Sequence, residues 1–274
     1  MNLIRNPMKK SLLIASMSVL AGNAFALTAF DDASNYGGGW STGDNFGSGF
    51  GVWDLTDNNN DGADRFSGYF RGDSALGAGD LNVGGNSFGI YAHDDDVVGD
   101  LDPKPNATAK RSFASSLSVN DQFSFNLGVN FDNGDKGFTL RNNSDQEVFG
   151  FNVGSGASVN TVFTDNSTSS VYDYGGGDTL LQAVIQVISA NALSYEISRI
   201  SSSGAQGVLF FGSITGITGT LDSFTFYNSG TDNGDAANNL YFNNLQVSEV
   251  PEPGTYALIA GTLALLCVAK RRRG

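Results

Sequence analysis

Hydrophobic and polar residues alternate through the middle and the second half of the chain. The clearest case lies between residues 123 and 131, where every second residue is large and apolar: Phe123, Phe125, Leu127, Val129 and Phe131. Side chains of a strand point alternately to its two faces, so this stretch predicts a half-buried β-strand.

Similar runs follow at intervals of roughly 8–12 residues, separated by turn-forming residues: Val148–Val153, Thr179–Ser189, Leu193–Ile200, Val208–Ile214, Leu221–Tyr227 and Leu240–Val247. The Asn133-Gly134 pair predicts a hairpin between the strand at Phe123 and one at Phe138. Apolar residues between Leu180 and Ile188 are dense enough for a helix. Their β-branched content and the turn at Asn191 favour a strand.

The stretch from residue 27 to residue 100 is rich in Gly and Asp, and its hydrophobic residues are less periodic. It predicts an opening strand, long surface loops and a returning strand near Phe88–Tyr91. The whole pattern predicts an all-β fold, a single antiparallel β-sandwich of jelly-roll type over residues 27–248.

The N-terminus carries a targeting pattern. Arg5, Lys9 and Lys10 precede the apolar stretch Leu12–Leu20, and Ala24-Phe25-Ala26 offers small residues for cleavage. This order predicts a secretory signal peptide over residues 1–26.

The C-terminal segment, residues 249–274, combines a proline motif, an apolar run from Tyr256 to Ala269 and a basic end. The motif is Val250, Pro251, Glu252 and Pro253, and the basic residues are Lys270, Arg271, Arg272 and Arg273. Proline fixes φ and lacks an N–H, so the motif stays outside helices and sheet ladders. The run is shorter than the ~20 residues of a comfortable membrane span, but snorkelling basic side chains can extend it. The four cations mark its cytoplasmic side.

This tail resembles the PEP-CTERM sorting signal of Gram-negative bacteria. The resemblance implies export through the inner membrane, arrest by a short transmembrane helix and recognition by an exosortase. It also implies cleavage near the motif, a location at the cell surface or in the matrix, and association with exopolysaccharide or biofilm. A permanent tail anchor and a buried C-terminal helix are the alternatives.

Charge narrows the range of partners. Between Leu27 and Val250, called the body below, eight Lys and Arg residues face 27 Asp and Glu residues, a net charge of −19. Such a surface repels nucleic acid, which is therefore excluded as a partner. The single cysteine, Cys267, lies in the apolar tail, so the body has no disulfide.

One loop resembles half of a calcium site. Asp57, Asn59 and Asp61, followed by Gly62, match the first positions of a calcium loop, and Asp64 or a distant carboxylate is the candidate ligand that would close it. The twelfth position is Gly68 in place of the usual glutamate. A solvated Asn/Asp turn is the alternative.

Two other features are candidates for chemistry. His93 precedes three aspartates, which predicts an acidic exposed loop, because one histidine cannot build a zinc site alone. Trp40 and Trp53 are candidates for a glycan-binding platform, with a place in the core as the alternative.

Three functions remain open. The first is a non-catalytic exported surface or matrix protein, and it is the one the sequence favours. The second is a calcium-assisted, lectin-like carbohydrate-binding module. The third is a glycan-active hydrolase, which requires two carboxyl groups roughly 5–10 Å apart.

The tail generates a prediction about processing. Mass spectrometry of the surface-exposed protein should show an N-terminus near Leu27 and a C-terminus between Pro251 and Gly254. Protein that retains Arg271–Arg273 in a host with an exosortase would contradict it.

The calcium loop generates a second prediction. Millimolar calcium should raise the melting temperature, because a ligand that binds only the native state stabilises it. Changing both Asp57 and Asp61 to Ala should abolish the increment. An equal increment in the variant would show only screening of the −19 charge.

Overall fold

The computed structural model describes the greater part of the body. The described residues are 26–58, 65–74, 81–94, 104–131, 134–153, 158–160, 167–168, 180–200, 207–230 and 236–250. Residues 1–25, which make up most of the predicted signal peptide, and the tail after Val250 lie outside them. Within the described residues, no helix is long and apolar enough to cross a membrane.

The described chain is built from strands, with 3₁₀ turns at Ala33–Asn35 and Ala236–Asn238. In chain order the strands are β1 (Ala26–Asp31), β2 (Phe50–Asn58), β3 (Arg65–Gly72), β4 (Ser87–Asp94), β5 (Asn106–Leu117), β6 (Asp121–Val129), β7 (Asp135–Asn142), β8 (Glu147–Asn152), β9 (Ser158–Asn160), β10 (Ser167–Thr168), β11 (Leu180–Ser189), β12 (Ala192–Arg199), β13 (Gly207–Thr215), β14 (Leu221–Ser229) and β15 (Leu240–Glu249).

The strands form two antiparallel sheets. The larger sheet has the order β13-β12-β11-β6-β15-β4-β3, and β1 pairs with β15 beside β4. The smaller sheet has the order β10-β9-β8-β7-β14-β5-β2. The predicted all-β antiparallel sandwich is confirmed.

An aromatic core joins the two sheets. Phe226 of β14 stacks on Phe242 of β15 at 3.8 Å between ring centroids, and Phe125 of β6 lies 4.5 Å from Phe138 of β7. All four rings are buried. The alternation that marked β6 in the sequence therefore points its Phe side chains at the other sheet, although the strand ends at Val129 and leaves Phe131 exposed.

Two predicted features are wrong. The Asn133-Gly134 turn does not close a hairpin, because β6 belongs to the larger sheet and β7 to the smaller one. The long surface loops expected before residue 100 contain β2 and β3. In β2 an extra residue between Phe50 and Trp53 breaks the alternation of hydrophobic and polar positions, so the periodicity did not predict this strand.

A charged pair is buried between the sheets. Arg111 of β5 forms an ion pair with Asp31 of β1, and neither side chain is exposed to solvent. The Arg111 Nε donates to the Gly51 carbonyl at 2.7 Å, at the β2 irregularity. Tyr36 donates to Asp31 at 2.6 Å and accepts from the indole of Trp53 at 2.8 Å. Burial raises the pKa of the Tyr36 hydroxyl well above its ordinary value, so it remains a donor.

Both ends of the described body meet at one point of the larger sheet. Ala26 pairs with Glu249, and the Val250 N–H donates to the Asn120 carbonyl at 2.9 Å. The last strand thus extends two residues beyond its predicted end at Val247. Only Val250 separates the sheet from Pro251.

The buried pair generates a prediction about stability. Asp31→Asn leaves the Arg111 charge buried without its partner, which should cost ~3–5 kcal/mol of unfolding free energy. Replacing both residues, as Asp31→Leu with Arg111→Met, should recover much of that loss. The measurement is urea unfolding, read as a shift of midpoint at constant slope.

Asp145→Asn is the matched control, since its partner Lys110 and its own carboxyl group are solvent-exposed. An exposed pair contributes at most about 1 kcal/mol. A loss in Asp31→Asn no greater than in this control would contradict the role assigned to the buried pair.

Candidate functional site

The proposed glycan platform at Trp40 and Trp53 is wrong. The two residues are 5% and 0% exposed. Their rings contact each other at 5.2 Å, and Trp40 also lies 4.7 Å from Phe88. Both indoles are part of the core, so neither has a face that a sugar could reach.

The calcium loop is only partly described. Asp57 lies exposed near the end of β2, whereas Asn59, Asp61 and Asp64 lie outside the described residues. Within the described ranges, no group of three His, Cys, Asp or Glu side chains is placed to hold a metal ion. Calcium binding therefore stays a prediction.

His93 is not part of an exposed loop. It is only 8% exposed, lies in β4, and its ring is 4.3 Å from the Phe66 ring. The adjacent Asp94 pairs with Arg65 at 3.3 Å in a buried contact. Asp95 and Asp96, the remaining aspartates of the expected acidic loop, lie outside the described residues.

The outer face of the larger sheet carries three rows of side chains, most of them polar and uncharged. One row crosses five neighbouring strands through the pairs Ser248–Gln122, Gln122–Gln186, Gln186–Ser194 and Ser194–Ser213. Neighbouring strands are ~4.8 Å apart, so this row runs for roughly 19 Å.

Two further rows lie on one side of the first one, farther from the Val250 end of the sheet. We call the three rows together the amide face. Its residues are Gln122, Ser124 and Asn126 of β6, Gln182, Val184 and Gln186 of β11, Ser194, Glu196 and Ser198 of β12, Val208, Phe211 and Ser213 of β13, and Gln246 and Ser248 of β15.

The side chains of the amide face have unused hydrogen-bonding capacity. Across the described residues, the only protein hydrogen bond from these side chains joins Ser198 to Glu196, at 2.8 Å. Most of them are half-buried. Half-buried amides and hydroxyls without protein partners are ready to bind a hydrogen-bonding ligand.

The boundary of this face is set by Asn243. It is the β15 neighbour of Asn126, but its amide already donates to the carbonyls of Leu81 and Asn86, at 2.8 and 2.9 Å. Its oxygen accepts from the Ala33 N–H at 2.9 Å. Asn243 lies between the part of β15 that pairs with β4 and the part that pairs with β1, and its hydrogen bonds connect the chain at this break.

The outer face of the smaller sheet is different, because its polar groups bind one another. Lys110 pairs with Asp145 at 2.7 Å, and Thr56 shares a 2.6 Å hydrogen bond with Thr108. Asn152 donates to Asp135 at 3.1 Å. This face has less capacity left for a ligand.

A shallow depression of about 480 Å³ lies on the amide face over β11, β12 and β13. Gln186, Ser194 and Glu196 line it, and Phe211 forms one side. Phe211 is 77% exposed, the largest value among the described large hydrophobic residues. A phenyl ring beside free amides and a carboxylate offers both stacking and hydrogen bonding to one ligand.

An aromatic patch lies at the other side of the same sheet, on β3 and β4. Phe66 is 42% exposed and lies 6.0 Å from Tyr91, which lies 6.2 Å from Phe70. The rings lie across two glycines: a Cβ on Gly68 would meet the Tyr91 hydroxyl at 2.5 Å, and one on Gly89 would meet Phe70 at 2.4 Å. The glycines therefore allow the rings to lie flat on the sheet.

A second cleft, of about 380 Å³, opens at the end of the sandwich near Val250. Its floor is apolar, from Leu117, Val187 and Leu221, and its rim carries serines. Hydroxyls of its lining already bond to protein groups, Thr220 to Ser116, Ser116 to Asp222 and Ser189 to Asn191. The amide face is therefore the better candidate site.

Comparisons with known proteins add little at the level of function. No family model and no curated protein sequence matches the chain. Among solved structures, the catalytic domain of β-agarase D from Zobellia galactanivorans has a TM-score of 0.41 at 9% identity, covering 84% of this chain and 95% of its own.

Two further structures are similar at the same level. Endo-β-1,4-glucuronan lyase from the fungus Trichoderma reesei has a TM-score of 0.40 at 8% identity, covering 72% of this chain and 94% of its own. The Ca²⁺-bound exoplasmic/lumenal domain of VIP36 has a TM-score of 0.39 at 10% identity, covering 73% and 84%. Similarity of this size transfers no ligand and no residue role to this chain.

Sequence reasoning missed the amide face. Its signal was present in Gln122, Ser124 and Asn126, the polar positions that alternate with the phenylalanines of β6. Only strand pairing shows that they continue into Gln186 and Ser194 across the sheet.

Proposed function

We propose that the body is a non-catalytic polysaccharide-binding protein whose site is the amide face. The observation that carries the proposal is the row of amides and hydroxyls from Ser248 to Ser213, which make no protein hydrogen bonds and are half-buried except at Ser213. It combines parts of the first two functions considered from the sequence, without requiring calcium at the site.

The chemistry of the amide face matches that of a sugar chain. Sugar hydroxyls both donate and accept hydrogen bonds, and Gln and Asn side chains do the same through one planar group. A row of roughly 19 Å offers such groups to several consecutive sugar units. Many weak contacts along a polymer add up without any deep pocket.

Exposed aromatic rings supply the apolar part of the contact. Phe211 of β13 pairs with Glu196 of β12. Its ring is exposed and contacts no other aromatic ring among the described residues. Covering such a ring with the C–H face of a sugar removes apolar surface from water. The aromatic patch around Phe66 lies on the same sheet, beyond the boundary of the amide face at Asn243.

Binding is favoured over hydrolysis at this face. Glycoside hydrolysis by paired acids uses two carboxyl groups roughly 5–10 Å apart. Among the residues of the amide face, Glu196 is the single carboxylate. A hydrolase remains the alternative function, and release of reducing sugar ends from a bound glycan would establish it.

We further propose that the body is exported, arrested by its tail at the inner membrane and delivered by an exosortase to the surface or matrix of a Gram-negative cell. We also propose that the sandwich is of jelly-roll type. Because β15 continues to Glu249, a membrane-held tail would keep the Val250 end of the sandwich close to the lipid. The row from Ser248 to Ser213 lies at that end of the sheet, so cleavage of the tail would open it to polymer.

The test is affinity electrophoresis of the body, residues 27–250, through gels that contain soluble polysaccharides. The wild-type body should be retarded by at least one glycan. The double variant Gln122→Ala, Gln186→Ala and the single variant Phe211→Ala should each weaken binding at least roughly tenfold, since two hydrogen bonds or one stacking ring are lost.

Controls come from the outer face of the smaller sheet. Thr56→Ala and Val52→Ala change exposed positions of β2 and should leave retardation unchanged. Equal loss in these controls, or wild-type retardation by no glycan of a broad panel, would contradict the proposed function.

A further inference from the structure

We propose that the amide face selects neutral polysaccharides and excludes acidic ones, with Glu196 as the residue that discriminates. This inference rests on the proposed function and specifies the class of polymer bound. It follows from the position of every cation of the body and from the surroundings of one carboxylate.

None of the eight cations of the body belongs to the amide face, and all eight lie within the described residues: Arg65, Arg71, Lys104, Lys110, Arg111, Lys136, Arg141 and Arg199. Three of them are buried. Arg65 and Arg111 pair with Asp94 and Asp31, and the Lys136 ammonium donates to the Phe131 and Asn238 carbonyls, both at 2.9 Å.

The other five cations are also placed away from the amide face. Lys110 and Arg141 lie on the smaller sheet near Asp145, and Arg71 donates to the Ala33 carbonyl at 2.7 Å. Arg199 ends β12 and pairs with Leu181, outside the three rows. Lys104 precedes β5 in the smaller sheet. An acidic polymer on the amide face would therefore find no positive partner among its residues.

Glu196 lies in the middle of the face. It pairs with Val184 on one side and Phe211 on the other, and it accepts the Ser198 hydroxyl at 2.8 Å. Residues two apart on a strand are ~6.7 Å apart, so a polymer lying along the Gln186–Ser194 row passes within ~8 Å of Glu196. That separation is about one Debye length at physiological salt, so a carboxylated or sulfated chain is repelled there.

The same carboxylate favours a neutral chain. A sugar hydroxyl that donates to an ionised carboxylate forms a charge-assisted hydrogen bond, which is stronger than one to an amide oxygen. One group therefore strengthens binding of a neutral glycan and weakens binding of an acidic one. The −19 charge of the body acts in the same direction over a longer range.

The experiment measures retardation of the full body by soluble neutral glucans, mannans and galactans, and by alginate and hyaluronan, at 0.15 M salt. The wild-type protein should bind at least one neutral glycan and neither acidic one. Glu196→Gln should weaken neutral binding roughly fivefold, the difference between a charged and a neutral acceptor. Glu196→Lys should bind alginate, and this binding should fall as salt is raised.

Asp54→Asn is the matched control, because it removes one negative charge from an exposed position of the smaller sheet. It should behave as wild type with both classes of polymer. Wild-type binding to alginate as strong as to the neutral glycans would overturn the inference and leave the proposed function intact. So would a Glu196→Gln protein indistinguishable from Asp54→Asn. Binding to neither class would instead contradict the proposed function itself.

Discussion

The buried pair between Arg111 and Asp31 is the constraint on which the rest of the sandwich depends. A guanidinium removed from water is costly unless its charge and its N–H groups find partners. Arg111 obtains them from Asp31, the Gly51 carbonyl and Asn45, and its guanidinium lies 4.9 and 4.8 Å from the Phe50 and Trp53 rings. These partners come from both sheets and from the β1–β2 connection. The pair therefore fixes the first strand against the core more specifically than apolar contacts alone.

The buried pair also affects the outer surface of the larger sheet, because β1 pairs with β15. Strand β1 pairs with the second half of β15, which pairs on its other side with β6 and so carries Gln246 and Ser248 into register with Ser124 and Gln122. An irregularity at Asn244, with φ of 55°, lets this half follow Asn243 without turning the polar residues inward. A core that holds β1 in place thus also supports the edge of the amide face. Every cation of the body lies outside the three rows, which leaves Glu196 as the only charged residue of the amide face.

Much of the fold was readable from the sequence, and most of the site was not. Strands β6, β11, β12, β14 and β15 alternate in a way that single-residue patterns reveal. Strand β5 does not, because its inward positions are Ala107, Ala109 and Arg111, small or charged residues that no hydrophobic period detects. Trp40 and Trp53 suggested a sugar platform by residue type alone, but both side chains are buried in the core. The amide face depends on which strands are neighbours, a long-range property that local periodicity does not contain.

In the proposed function, the free side-chain amides of the larger sheet are the groups that contact sugar. The most direct measurement is an NMR titration of ¹⁵N-labelled body with a soluble neutral oligosaccharide, following the side-chain NH₂ signals of Gln and Asn. Signals of Gln122, Gln186 and Asn126 should shift together and saturate at one ligand concentration, whereas that of Asn152, on the opposite sheet, should stay in place. Shifts confined to Asn152 and its neighbours, with the amide-face signals unmoved by a ligand that binds, would contradict the account.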